Sequence, residues 1–133
     1  MTVAREAACS CGQLKVIAEG APVRVSVCHC LACQRRTGSV FGVQARFARE
    51  CVRILGRSSE FVRVSDEGGE ACTLHFCPEC GATVYYLADS TPEMVAVPVG
   101  AFADPSFPPP RISVWEERRH GWVVMPPGVE RLA

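Results

Sequence analysis

Cys77-Pro78-Glu79-Cys80-Gly81 is the stretch whose reading decides the fold, because each residue type in it performs one step of a metal-binding turn. Proline after the first cysteine presets the φ angle of the turn. Glycine after the second admits positive φ, so backbone N–H groups can fold back toward the sulfurs and offset their negative charge. A knuckle of this kind supplies two thiolates, and a closed tetrahedral site needs four. Cys9-Ser10-Cys11-Gly12 offers the other pair. Side chains two apart share one face of an extended chain, so both sulfurs can reach one ion. A site of Cys9, Cys11, Cys77 and Cys80 would tie the N-terminal segment to the middle of the chain, which is structural work.

A second group, Cys28-His29-Cys30-Leu31-Ala32-Cys33, places three sulfurs within six residues. Cys28 and Cys30 can point one way from the end of a strand, and Cys33 returns from a helical turn. Three thiolates with an empty fourth position is the arrangement of a reactive zinc centre, and soft sulfur ligands favour zinc over oxygen-seeking ions. A fourth protein ligand would instead close the site. His29, His75, His120, Cys51 and Cys72 are the candidates. His29, between two ligands, faces the other side of a strand, where it packs or bonds to backbone. His75 reads as a strand residue near the knuckle and His120 as solvent-exposed. Cys51 and Cys72 each open an apolar strand and read as buried small hydrophobes. The open site is the favoured reading, and the closed one remains its alternative.

The rest of the chain is consistent with one small domain, 1–133, carrying its own core: 48% of the residues are hydrophobic. Fourteen basic residues balance fourteen acidic ones. That neutrality argues against a nucleic-acid binder or a polybasic membrane surface. No apolar run is long enough to span a bilayer and no export signal is visible, so the expected location is cytoplasmic. Nine cysteines, an odd number mostly in tight groups, fit metal ligation better than a disulfide framework.

Hydrophobic residues alternate with period two. Leu14, Val16 and Ala18 form one such set, and Phe41, Val43, Ala45 and Phe47 another. Further strand-like runs are Val23–Cys28, Cys51–Leu55, Glu60–Val64, Ala71–Phe76, Thr83–Leu87, Met94–Val99 and Arg111–Trp115. Turns are expected at Glu19-Gly20-Ala21-Pro22, Asp66-Glu67-Gly68-Gly69 and Asp104-Pro105. Only Leu31–Thr37 reads as a short helix, stopped by Gly38. Phe107-Pro108-Pro109-Pro110 reads as an extended surface crossing. The expected class is all-β, of several short antiparallel strands with one helical turn.

Cys-x-Cys, Cys-His-Cys-x-x-Cys and Cys-Pro-x-Cys-Gly, in that order, resemble the glutathione-dependent formaldehyde-activating family, which includes centromere protein V domains. The resemblance extends to Arg36-Thr37-Gly38-Ser39, to Phe76 before the knuckle, to Val97 through Pro105, to Pro110 through Trp115, and to Trp122. It implies an Mss4-like β-tent with two zinc ions. Cys9, Cys11, Cys77 and Cys80 would hold the structural ion, and Cys28, Cys30 and Cys33 the catalytic one. The segments Leu31–Arg36 and Glu116–Gly121 depart from the family pattern and bear on substrate identity.

The implied chemistry is that of a carbon–sulfur lyase or synthase. It would act on a thiol–aldehyde adduct such as S-(hydroxymethyl)glutathione, with glutathione and a one-carbon aldehyde as small-molecule partners. Arg35 and Arg36 could hold peptide carboxylates by bidentate bonds, or lie on a solvated helix face. Thr37, with Ser39, could contact the ligand or cap the turn. The alternatives are a glutathione carrier without catalysis and a zinc-ribbon interaction module. The module would ordinarily show a basic face with exposed aromatics, whereas the aromatics here fall at strand positions that read as buried. A methionine sulfoxide reductase-like redox protein would need a free nucleophilic cysteine, and only Cys51 and Cys72 remain for that role.

Overall fold

Leu14, Val16 and Ala18, the alternating set near the N-terminus, are all fully buried. The computed structural model describes residues 3–65 and 69–133. Its strands are β1 (Ala4–Ala8), β2 (Lys15–Glu19), β3 (Arg24–Cys28), β4 (Gly42–Ala48), β5 (Val52–Leu55), β6 (Ser59–Val64), β7 (Ala71–Phe76), β8 (Thr83–Ala88), β9 (Met94–Pro98), β10 (Ile112–Val114) and β11 (Glu130–Arg131). One α-helix, α1 (Leu31–Thr37), follows β3 and ends at Gly38, whose φ of 70° is the left-handed conformation glycine adopts freely. The expected helix is therefore present with the expected stop.

Two sheets result. β2 lies between β1 and β5 in a three-stranded antiparallel sheet. The other eight strands run in the order β11-β10-β3-β4-β9-β8-β7-β6. The core fills with Leu14, Val16, Ala45, Phe47, Val84, Val95 and Val97. Burying one side chain the size of Phe47 contributes about 1.5–3 kcal/mol. The architecture is all-β and Mss4-like.

Several details differ from the sequence reading. β10 runs parallel to β3 and to β11, so the larger sheet is not wholly antiparallel. Alternation reveals a strand's faces but not its direction, and β10 reaches β3 from far along the chain. β4 sits inside the sheet with both faces covered, so Gln44 is as buried as Ala45 and donates to the Ser26 hydroxyl at 3.0 Å. β1 carries too few apolar side chains to announce itself, and β11 is two residues long. Cys51, itself half-buried, closes an otherwise exposed 3-10 turn instead of opening a strand, whereas Cys72 is buried on β7 as expected. Phe107 is not part of a surface crossing: it is buried and stacks on Phe102 with ring centroids 4.6 Å apart. The aromatics are not uniformly buried either, since Phe61 is 60% and Trp122 71% exposed. The turn at Asp104 forms, with the Ser106 N–H donating to its carboxylate. Asp66, Glu67 and Gly68 of the expected turn lie outside the described residues.

Gly56, just after β5, has φ of +95°, and a Cβ there would lie 2.0 Å from the backbone carbonyl oxygen of Gln13. Backbone cannot yield as a side chain can. Gly20 has a similar φ of +80° but open space around it. Gly20→Ala is therefore expected to cost about 1–2 kcal/mol, the left-handed penalty alone. Gly56→Ala adds the clash and should cost clearly more, read from denaturant unfolding of both variants. Equal costs would mean that the approach of Gln13 relaxes freely.

Candidate metal centres and the adjoining cavity

Cys9 and Cys11 occupy the turn between β1 and β2, and Cys77 and Cys80 the turn between β7 and β8. The four sulfurs all lie within 4.8 Å of one another. Cys11 Sγ is 3.6 Å from both Cys9 Sγ and Cys77 Sγ. Tetrahedral zinc with bonds of about 2.3 Å would separate its sulfurs by about 3.8 Å, so the spacing fits such an ion. Donors face the sulfurs as the knuckle chemistry requires. Cys77 Sγ accepts from the Gln13 amide at 3.0 Å and the Glu79 N–H at 3.4 Å, and Cys9 Sγ accepts from the Leu14 N–H at 3.3 Å. Burial opposes ionisation of Cys77, but the Gln13 amide and the N–H groups of Cys80 and Glu79 outweigh it and bring the thiol down to about 6. Cys11 receives a helpful backbone bond from Gln13, yet the neighbouring thiols, Cys9 foremost, hold it up at about 11. Like charges this close cannot all form alone, and a divalent cation removes that conflict.

The second cluster joins the end of β3 to α1. Cys28, Cys30 and Cys33 are all buried, with sulfurs within 4.8 Å of one another. Cys30 is the N-cap of α1, and its sulfur accepts from the Cys33 N–H at 3.3 Å. The cap orients Cys30 and Cys33 toward one point. Hydrogen bonds from Cys28 and then Cys30, with Arg63 and Arg36 nearby, hold the Cys33 thiol down at about 2. The neighbouring thiols, Cys30 foremost and then Cys33, push Cys28 up. Among the described residues, no fourth Cys, His, Asp or Glu joins the three sulfurs.

None of the candidate fourth ligands His29, His75, His120, Cys51 and Cys72 joins the three sulfurs. His29 is fully buried, and its Nε2 lies 2.9 Å from Ser113 Oγ. Ser113 donates its hydroxyl to Glu116, so His29 Nε2–H is the donor to Ser113. It thus bonds to a side chain on β10, not to backbone. Burial lowers the pKa of His29, consistent with a neutral ring. Glu116 also accepts from Arg119 and from Arg131. Burial disfavours its charge, but the bonds from Ser113, Arg131 and Arg119 hold it down at about 2. Trp115, before it, has a φ of 57°, an uncommon conformation for a bulky residue, and packs against the three-cysteine cluster. His75 lies on β7, bonded to Ser58 and stacked on Tyr85. His120 is exposed and paired with the side chain of Gln34. Cys72 Sγ lies 3.5 Å from Arg63 Nη2.

A cavity of about 570 Å³ lies beside α1 and β6, lined by Leu31, Arg35, Arg36, Phe61, Arg63 and Leu74 among others, with none of the three cysteines in its wall. Arg63 also reaches the sulfurs, with Nη1 3.7 Å from Cys33 Sγ. Arg36 lies over the Tyr86 ring at 5.5 Å. Of the residues expected to bind substrate, Arg35 and Arg36 line the cavity and Thr37 does not. The Thr37 hydroxyl donates to the Cys33 carbonyl and accepts from the Ser39 N–H, at 3.0 Å each, which caps the helix end. Arg63 escaped the sequence reading because no motif contains it. The available signal was a lone arginine inside the apolar run Phe61-Val62-Arg63-Val64, in register opposite Cys72.

Fold and clusters together define a small β-protein with two cysteine groups able to hold metal ions. The sequence model of the glutathione-dependent formaldehyde-activating enzyme family matches residues 4–118, and the chain belongs to that family. A Rhodobacter sphaeroides protein solved as a structural-genomics target is similar in fold, with a TM-score of 0.55 at 21% identity. That similarity covers 72% of this chain and 85% of the other. No curated protein matches the chain. No helix among the described residues is long and apolar enough to cross a membrane.

Proposed function

We propose that the protein catalyses reversible carbon–sulfur bond formation between a thiol of the glutathione class and formaldehyde, giving an S-hydroxymethyl adduct. Cys9, Cys11, Cys77 and Cys80 hold a structural zinc ion in this reading, and Cys28, Cys30 and Cys33 a second one at the reacting centre. The observation that carries it is the placement of three convergent sulfurs, without a fourth protein ligand among the described residues, beside a cavity walled by arginines. Zinc held there would supply Lewis acidity that favours the deprotonated form of a thiol.

The chain itself does the rest. Arg35 and Arg36 hold the carboxylates of the thiol substrate. Leu31, Phe61 and Leu74 give the cavity an apolar wall. Arg63 and Arg36 set a positive field beside Cys33, so an incoming thiolate meets opposite charge as well as the sulfur cluster. The thiolate lone pair then attacks the aldehyde carbon. The carbonyl π pair moves onto oxygen, and the alkoxide takes a proton from water to give the hydroxymethyl thioether.

Exchange NMR of glutathione with formaldehyde, with and without catalytic amounts of protein, tests the reading against the uncatalysed addition. The expected result is an exchange rate that rises in proportion to protein and is lost on metal chelation. A rate unchanged by protein, with glutathione still bound, would replace the enzyme by a carrier. No binding at all would favour an interaction module.

A further inference from the structure

We infer that Gln34 is a positioning residue that fixes one wall of the cavity against the three-cysteine cluster, so that a thiol ligand long enough to touch both is held in one register. This deepens the thiol-binding reading above and rests on it. Cluster and cavity are separate places in the fold, since none of the three cysteines lines the cavity. α1 joins them, with Cys33 on its buried side and Leu31, Ala32, Arg35 and Arg36 in the cavity wall. Arg118, which ends the 3-10 turn Glu116–Arg118, comes to the same cavity from far along the chain. What a ligand meets in the cavity, relative to the sulfurs, therefore depends on how that turn is held to α1.

Gln34 holds it there. Its side chain leaves α1 one position after Cys33 and uses both ends of its amide. Nε2 donates to the His29 carbonyl at 2.9 Å and to the Arg118 carbonyl at 3.3 Å. Oε1 accepts from His120 Nε2 at 3.1 Å. Exchanging the amide oxygen and nitrogen would turn an oxygen toward two carbonyl oxygens, so this orientation is the satisfied one and His120 Nε2 carries the hydrogen. The first acceptor lies between two members of the cluster, Cys28 and Cys30, and the second belongs to a residue of the cavity wall. One side chain thus bonds at the same time to the backbone of the cluster and to the turn that brings Arg118 to the cavity. The cluster has other supports for its own shape. The His29 N–H donates to the Val114 carbonyl at 3.1 Å, its ring bonds to Ser113, and the Cys30 sulfur caps α1. Glu116 ties the turn to β10 and β11 through Ser113 and Arg131. Gln34 supplies the tie across to α1, which those bonds do not.

The test is calorimetric titration of the metal-loaded protein with glutathione and with 2-mercaptoethanol, repeated on Gln34→Glu. Glutathione is long enough to meet both cluster and cavity, and the short 2-mercaptoethanol meets the cluster alone. Glutamate matches glutamine in size but sets an oxygen where two carbonyl oxygens need a donor, so it keeps the packing and breaks the tie. Glutathione affinity is expected to fall about tenfold, with 2-mercaptoethanol affinity held within about twofold and metal content unchanged. General damage to the fold would weaken both ligands together, so the difference between them reports positioning. If circular dichroism shows that Gln34→Glu folds poorly, Gln34→Ala breaks the same bonds without a charge, in the residue that best favours helix, and carries the same expectation. Three results overturn the positioning role and leave the thiol-binding reading intact: glutathione binding the unaltered protein no better than 2-mercaptoethanol, glutathione affinity unchanged in the variant, or an equal fall for both thiols. Loss of a metal ion from the variant overturns it too, because Gln34 would then be serving the cluster itself. If neither thiol binds the unaltered protein, the thiol-binding reading fails and the positioning role falls with it.

Discussion

Cys80→Ser is expected to remove one metal ion per chain and to lower the unfolding midpoint by far more than an ordinary surface substitution does. The reason lies in what the four sulfurs join. Cys9 and Cys11 sit on the β1–β2 turn of the small sheet, and Cys77 and Cys80 on the β7–β8 turn of the large one. Metal at that point fixes one sheet against the other. Structural zinc in small peptides contributes about 10–16 kcal/mol on binding, whereas a whole domain is stable by only about 5–15 kcal/mol. Loss of even part of that contribution therefore consumes much of the margin. Serine is a hard, weakly acidic replacement and does not substitute for a thiolate. Without the ion, the raised Cys11 thiol and the lowered Cys77 thiol show how poorly the group tolerates several negative charges. Metal analysis together with thermal unfolding checks the expectation. Unchanged metal content and an unchanged midpoint would show that these four residues do not make a closed structural site.

How much of this was legible in the sequence varies with the kind of information needed. Each pair or triplet of cysteines could be read from spacing, because ligands two or three residues apart are brought together by local backbone geometry. The meeting of Cys9 and Cys11 with Cys77 and Cys80, by contrast, needs the two sheets to pack together. α1 was legible down to its stop, since Gly38 takes the left-handed conformation that ends a helix. Strand faces were legible wherever one side is wet, as at Val16 and Ala18. They failed at β4, where Gln44 is buried by neighbouring strands that no local pattern announces. Phe107 was misread for a similar reason: its proline neighbours look like a surface segment, while Phe102, several residues earlier, takes its ring into the core.

The cavity side of the site was least legible. Arg63 reaches Cys33, thirty residues earlier in the chain, only because β6 pairs with β7 at the edge of the large sheet. The brace from His29 through Ser113 to Glu116 likewise needs β10 to return beside β3. A sequence states that a buried histidine must find a partner, but not which distant hydroxyl supplies it.

Cys30→Ser is expected to give the opposite result from Cys80→Ser: a folded protein in which glutathione–formaldehyde exchange falls to the uncatalysed rate. Cys30 does two separable things. Its sulfur belongs to the three-cysteine cluster, and as N-cap of α1 it accepts from the Cys33 N–H. Serine is among the best N-cap residues, so the second task survives the exchange while the soft ligand is lost. Cys30→Ala removes both and should add a penalty of about 1 kcal/mol for the missing cap. The two variants therefore separate ligation from capping: equal loss of exchange, unequal stability. Metal content should fall by one ion in each, with the four-cysteine site still filled. Exchange that persists in Cys30→Ser would take this cluster out of the reaction. Global unfolding of Cys30→Ser, with its cap intact, would mean that the second ion is structural like the first.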